Sequence, residues 1–226
     1  MQREKPKHPS RKVVPPQLPK AGVALSIPDD ASLSDLNQLD EFSVSGNDFK
    51  GQVAKGLRFK EARFRGVGLE GVELTEVRLG DARFEQCDLF NGDWRGSEWQ
   101  RVEMVACRLM GFRANSAKLR DVAFKDCNAQ FAQFRFATFN GARFTDCNLT
   151  DADFHGADLT GVVFQNCDLR NAELTKAKLD GADLRGCKVG GLRADPEALR
   201  GAIIEPMQAV ELIRCFGVVV RWDDEE

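Results

Sequence analysis

Apolar residues recur along this chain at every fifth position. The register starts at Leu39, runs through Val44, Phe49 and Ala54, and ends at Leu184 and Val189; all 31 of its positions are apolar. With 42% apolar residues in the chain, chance gives such a run with odds on the order of 10⁻¹². Two residues before each of these positions lies a second register of small residues. From Leu57 to Cys187 it is Ala, Val, Cys, Gly or Ser in 25 of 27 places, Leu57 and Phe112 excepted. Two residues after each large position, Gly, Asn and Asp are favoured, as at Gly66, Gly71, Asn91, Gly111 and Asn171. These residues tolerate the turn conformations of a corner.

A period of five fits neither a helix nor a plain strand. It fits a short strand, whose residues two apart share a face, followed by a corner. Each repeat then points one large and one small side chain inward. A second period gives the number of sides. Cys87, Cys107, Cys127, Cys147, Cys167 and Cys187 recur every 20 residues in the small register, and Phe64, Phe84, Phe124, Phe144 and Phe164 sit at multiples of 20 in the large one. Twenty residues are four repeats, so each coil has four sides and like residues stack on like. At the strand spacing of about 4.8 Å per coil, seven and a half coils make a rod roughly 35 Å tall. Trp94 is oversized, Ala114 one coil on is small, and Phe112 fills the small register beside it. This predicts local volume compensation among the three.

The regions flanking the repeat differ from it. Residues 1–28 hold six prolines and a basic excess, which predicts a disordered, solvated leader rather than an arm for nucleic acid or lipid. Residues 29–38 carry Ser and Asp capping signals with Leu33 and Leu36, and predict a short helix or turn that caps the N-terminal end. The repeat is placed at 39–190. Residues 191–226 are read as a C-terminal cap with a helix at about 206–216, opened by Pro206 and closed by Gly217. Such a cap covers strand edges that otherwise invite polymerisation, and the same helix is a candidate homodimer contact.

The stretches Ala152-Asp153-Phe154, Ala157-Asp158-Leu159, Cys167-Asp168-Leu169 and Ala182-Asp183-Leu184 resemble the motif of the pentapeptide-repeat family. The resemblance covers roughly Leu39 to Val189. It implies an all-β fold, a right-handed quadrilateral β-helix, and the handedness comes from the family alone. Some members, Qnr and MfpA among them, mimic DNA and act on type II topoisomerases such as gyrase. A mimic presents acid along its length, whereas residues 39–190 hold 23 acidic and 22 basic residues. The leading expectation is therefore a non-enzymatic protein-interaction scaffold with an unknown protein partner; a DNA-mimicking topoisomerase modulator is the alternative.

Candidate chemistry changes this picture little. The six cysteines of the ladder form no CxxC pair, so buried filler is expected rather than a metal site. His8 and His155 are the only histidines, and no nucleophile–base pair can be assigned. No catalytic residue, cofactor, metal or small-molecule substrate is expected. No run of about 18 apolar residues and no signal-peptide pattern is present, so no membrane contact and a cytoplasmic location with reduced thiols are expected. Two surface features stand out. Phe90, Met110 and Phe131 rise along one corner and form a candidate partner strip. Arg58, Lys60, Arg63, Arg65, Arg78 and Arg83 form a candidate basic patch, interleaved with Glu61, Glu70, Glu73 and Glu76; nucleic acid is not its expected partner.

Overall fold

In this computed structural model the chain is a parallel β-solenoid, described over residues 12–18, 32–38 and 40–221. The strands are β1 Ser43–Ser45, β2 Val53–Lys55, β3 Arg58–Arg65, β4 Glu73–Thr75, β5 Arg78–Glu85, β6 Glu98–Val105, β7 Lys118–Lys125, β8 Thr138–Thr145 and β9 Val163–Gln165. One sheet stacks β1, β3, β5, β6, β7, β8 and β9 in that order. Every pairing is parallel and offset by twenty residues, as in Phe64 with Phe84 and Val102 with Val122. Twenty residues per turn is the four-repeat coil that the cysteine spacing predicts.

The four walls are not alike. Each eight-residue strand runs through a corner and serves two adjacent walls. The other two walls are held by single bridges such as Asp88–Arg108 and Asp93–Arg113, by turns and, in the early coils, by the two-stranded sheet of β2 and β4. In those turns the carbonyl of the large residue accepts the N–H three residues on, as Leu89 does from Gly92 at 3.0 Å. The motif's Asp or Asn has a local task. Its side chain accepts the N–H two residues ahead: Asp153 from His155 at 2.9 Å, Asp158 from Thr160 at 3.1 Å, Asp183 from Arg185 at 3.1 Å. This Asx-type turn starts the corner. Every corner residue from Glu41 to Gly191, two after each large position, has positive φ. Gly, Asn and Asp accept that conformation most readily.

Both inward registers are buried from Phe42 and Val44 onward, with Asn47, Gln52 and Ala54 in the first coil only partly so. Phe64 stacks on Phe84 at 4.6 Å, and Phe124, Phe144 and Phe164 stack at 4.6 and 5.0 Å. Those spacings are the coil height, so a column of rings, interrupted once by Met104, runs up the core. Trp94 meets Phe112 edge-on at 5.3 Å. Gly92, directly before Phe112 in the small column, leaves the ring its room: a Cβ there would stand 3.2 Å from it. The compensation therefore includes Gly92 as well as Ala114. Trp94 Nε1, Trp99 Nε1 and Ser97 Oγ are buried without a hydrogen-bond partner.

The ends differ from expectation in two places. Residues 12–18 of the expected disordered leader are seated on the rod, where the Gln17 N–H donates to Asp81 Oδ1 at 2.7 Å and the Val14 N–H to Asp121 Oδ1 at 3.4 Å. The rest of residues 1–28 lies outside the described residues. A 3₁₀ helix, Leu33–Gln38, closes the N-terminal end with Leu33 and Leu36 buried. The solenoid also continues past Gly190. Bridges Glu173–Arg193 and Asp183–Ile203 extend the ladder, and Ala194, Leu199 and Ile204 carry the large register on at the same spacing. Helix α1, Pro206–Ile213, follows and passes into a 3₁₀ turn, Arg214–Phe216. Val218–Val220 belongs to no strand.

Candidate interaction surface

The six ladder cysteines are free and buried. Each of Cys87, Cys107, Cys127, Cys147 and Cys187 donates its thiol to a backbone carbonyl 23 residues back, at 3.4–3.5 Å. The neighbouring thiols of Cys127 and Cys87, together with burial, push the Cys107 thiol well above its usual range. No cluster of three or more potential metal ligands occurs among the described residues.

The basic patch is a mixed-charge face. Lys60 pairs with Glu61 at 3.4 Å, Arg78 with Glu98 at 3.5 Å, and Arg83 with Glu103 at 3.1 Å. Arg58 and Arg65 are exposed, and Arg63 is half-buried. The Arg78 and Arg83 pairs follow from the coil: a residue twenty further on stands one rung away, so an acid there meets the base. Ion pairs at such exposure contribute little to stability, but they cancel the local potential.

The candidate apolar strip divides. Phe90 and Met110 are half-buried, and the Arg108 guanidinium lies 4.3 Å from the Phe90 ring centre. Phe131 is open, with 51% of its surface accessible. Beside it is a residue that the sequence reading passed over: Phe136, 57% accessible. Both occupy corners, at φ of +59° and +56°. They are the only aromatic residues with positive φ among the described residues. A bulky side chain in this region is strained by about 1–2 kcal/mol. Phe131 and Phe136 flank one wall centred on the buried Phe134. The Phe136 ring meets the His155 ring edge-on at 5.5 Å and lies against Gly156, where an added Cβ would stand 2.6 Å from the ring. His155 Nδ1 is 2.8 Å from Thr175 Oγ1, and Arg135 donates to Asp153 at 2.9 Å. The wall is thus a shallow open groove with an aromatic corner on each side and a polar, paired floor.

Helix α1 shows how the C-terminal end is sealed. Gln208 Nε2 donates to the carbonyls of Leu184 and Cys187 at 2.7 and 2.8 Å. Gln208 and Leu212 are buried. Met207, Ile213, Phe216, Val218 and Val219 are exposed.

Comparison with known families matches residues 97–174 to the pentapeptide repeat region and residues 55–91 to pentapeptide repeats (8 copies), together just over half the chain. The chain is a pentapeptide-repeat protein. The match covers the ladder from Cys87 to Cys167 and the stacked phenylalanines. No curated protein matches it. Among solved structures it is similar to HetL, a pentapeptide repeat protein involved in heterocyst differentiation regulation from the cyanobacterium Nostoc sp. strain PCC 7120, at 22% identity over 73% of this chain and 86% of that one, with a TM-score of 0.32. It is also similar to trypsin-treated QnrB1, a plasmid-mediated fluoroquinolone resistance protein, at 23% identity over 81% and 89%, with a TM-score of 0.35. A third is a pentapeptide repeat protein of the Arabidopsis thaliana thylakoid lumen, at 25% identity over 48% and 75%, with a TM-score of 0.33. Scores this low carry nothing about what this chain binds. No helix among the described residues is long and apolar enough to cross a membrane.

Proposed function

We propose that this pentapeptide-repeat protein is a non-enzymatic scaffold that binds a protein partner through its outer walls, centred on Phe131 and Phe136. The observation that carries this reading is the pair of exposed phenylalanines held at positive φ on neighbouring corners. Neither exposed aromatic area nor positive φ at a bulky side chain favours folding. Exposed apolar area and local strain together are expected where a surface serves binding. Phe90 and Met110 extend the surface along the adjoining edge. The exposed apolar residues of α1 and the segment after it add a candidate homodimer contact beyond the cap that Gln208 and Leu212 make. Phosphate mimicry is the weaker reading, because acid on the walls is met by base one rung away, as at Glu98–Lys118 and Asp88–Arg108.

The test is proximity labelling in cells with the protein and with its Phe131→Ser/Phe136→Ser form. A specific set of labelled proteins is expected for the first and is lost in the second, while the two melt within about 3 °C of each other. Identical labelling by both forms would sink the proposal. A gyrase supercoiling assay, with and without a fluoroquinolone, decides the alternative: no effect is expected at micromolar protein.

A further inference from the structure

The corner diagonally opposite Phe131 carries a second unusual feature, independent of the scaffold reading. This corner carries Glu61, Asp81, Arg101 and Asp121 in successive coils. Asp81 and Asp121 are each only 4% exposed, rare for carboxylates. Arg101 clamps Asp81 through Nε, at 2.6 Å, and Nη2. The clamp holds Asp81 below the usual carboxylate range against the cost of burial, so it stays an anionic acceptor.

Residues 12–18 are seated on this ladder. Val14 and Gln17, three residues apart, donate their N–H groups to Asp121 and Asp81, two coils apart. The spacings agree for a physical reason. Three residues of polyproline II span about 9 Å, and two coils span about 9.6 Å. Between the two donors stand Pro15 and Pro16, which have no N–H to leave unsatisfied and favour the extended form. Val13, Pro16 and Leu18 are half-buried, while Val14, Pro15 and Gln17 are exposed, so one edge of the segment faces the rod.

We infer that the Asp81–Arg101–Asp121 corner is a binding site for extended proline-containing peptides of the type X-Pro-Pro-X, occupied in this chain by its own residues 12–18. Selectivity comes from register: two amides spaced by two prolines match two carboxylates spaced by one arginine. A peptide of the same form from another protein can take the site when the resident segment is displaced.

Amide hydrogen exchange on the full chain tests this. The Gln17 amide is expected to exchange at least ~100-fold more slowly than in a free peptide, and at the free rate in Asp81→Ala. Because Asp81→Ala leaves Arg101 unpaired, Pro15→Gly/Pro16→Gly is the second variant; it leaves the rod untouched and is expected to free Gln17 equally. A synthetic peptide of residues 12–18, added at millimolar concentration to this second variant, is expected to shift the Asp81, Arg101 and Asp121 amide resonances. Free exchange of Gln17 in the unaltered chain would overturn the resident contact. An absence of shifts with added peptide would overturn binding in trans. Protection of Gln17 that grows with protein concentration would assign the segment to a neighbouring copy and overturn its placement on its own rod.

Discussion

Single residues in this rod answer to the repeat, and the exceptions predict most. Ser97 occupies a small-register place that Ala fills elsewhere, and its hydroxyl is buried without a partner. Removing such a group relieves a desolvation cost. Ser97→Ala is expected to raise stability by about 1 kcal/mol, read from urea unfolding at constant m-value. Phe131→Gly is expected to raise stability by about 1 kcal/mol as well, because glycine has no penalty at positive φ. Loss of stability there would mean that the ring makes a contact that the geometry does not show. Ala114→Phe works in the opposite sense. Trp94 and Phe112 already fill that level at 5.3 Å, so overpacking is expected to cost about 1–3 kcal/mol. An unchanged melting temperature would refute volume compensation.

The elements divide into those legible from spacing and those that depend on contacts far apart in the chain. The four-sided coil follows from the period of five and the cysteines at twenty, and the structure has that pairing offset throughout. Position 136 carried a usable signal: a Phe where the corner register prefers Gly, Asn or Asp. It stands outside the column of Phe90 and Met110. The register after Val189 was legible too, at Ala194, Leu199 and Ile204, but Pro196 and the irregular turns around it hide the continuation. The seating of residues 12–18 was not legible. Proline content alone reads as solvated chain, and the match to Asp81 and Asp121 spans 64 and 107 residues. The C-terminal element yields its own prediction. Gln208→Leu keeps an apolar contact but leaves the Leu184 and Cys187 carbonyls short of a donor. A cost of about 2 kcal/mol is expected, with the largest rise in amide exchange in the last coil. Uniform loosening along the rod would contradict a local cap.

At the scale of the whole molecule, the twenty-residue step turns one-dimensional charge order into ladders, and this sets how the rod responds to acid. Arg101 lowers the pKa of Asp81, Arg170 that of Asp168, and Arg185 that of Asp183. A carboxyl whose folded pKa lies below its unfolded value binds protons more readily when unfolded. Its contribution is therefore complete above the unfolded value of about 3.9 and is lost as pH falls through the folded value. The melting temperature is expected to hold between pH 7 and about pH 5 and to fall below about pH 4. Asp168→Asn/Asp183→Asn is expected to flatten that fall without moving the neutral plateau by more than a few degrees, since both pairs lie at the surface. A decline that begins near neutral pH would show that groups other than these carboxylates govern the rod. In a solenoid each coil touches only its neighbours, so acid should loosen coils locally before the rod unfolds as one. Amide exchange at pH 3.5 should then open first around the coils of Asp168 and Asp183, while the stacked phenylalanines from Phe124 to Phe144 stay protected.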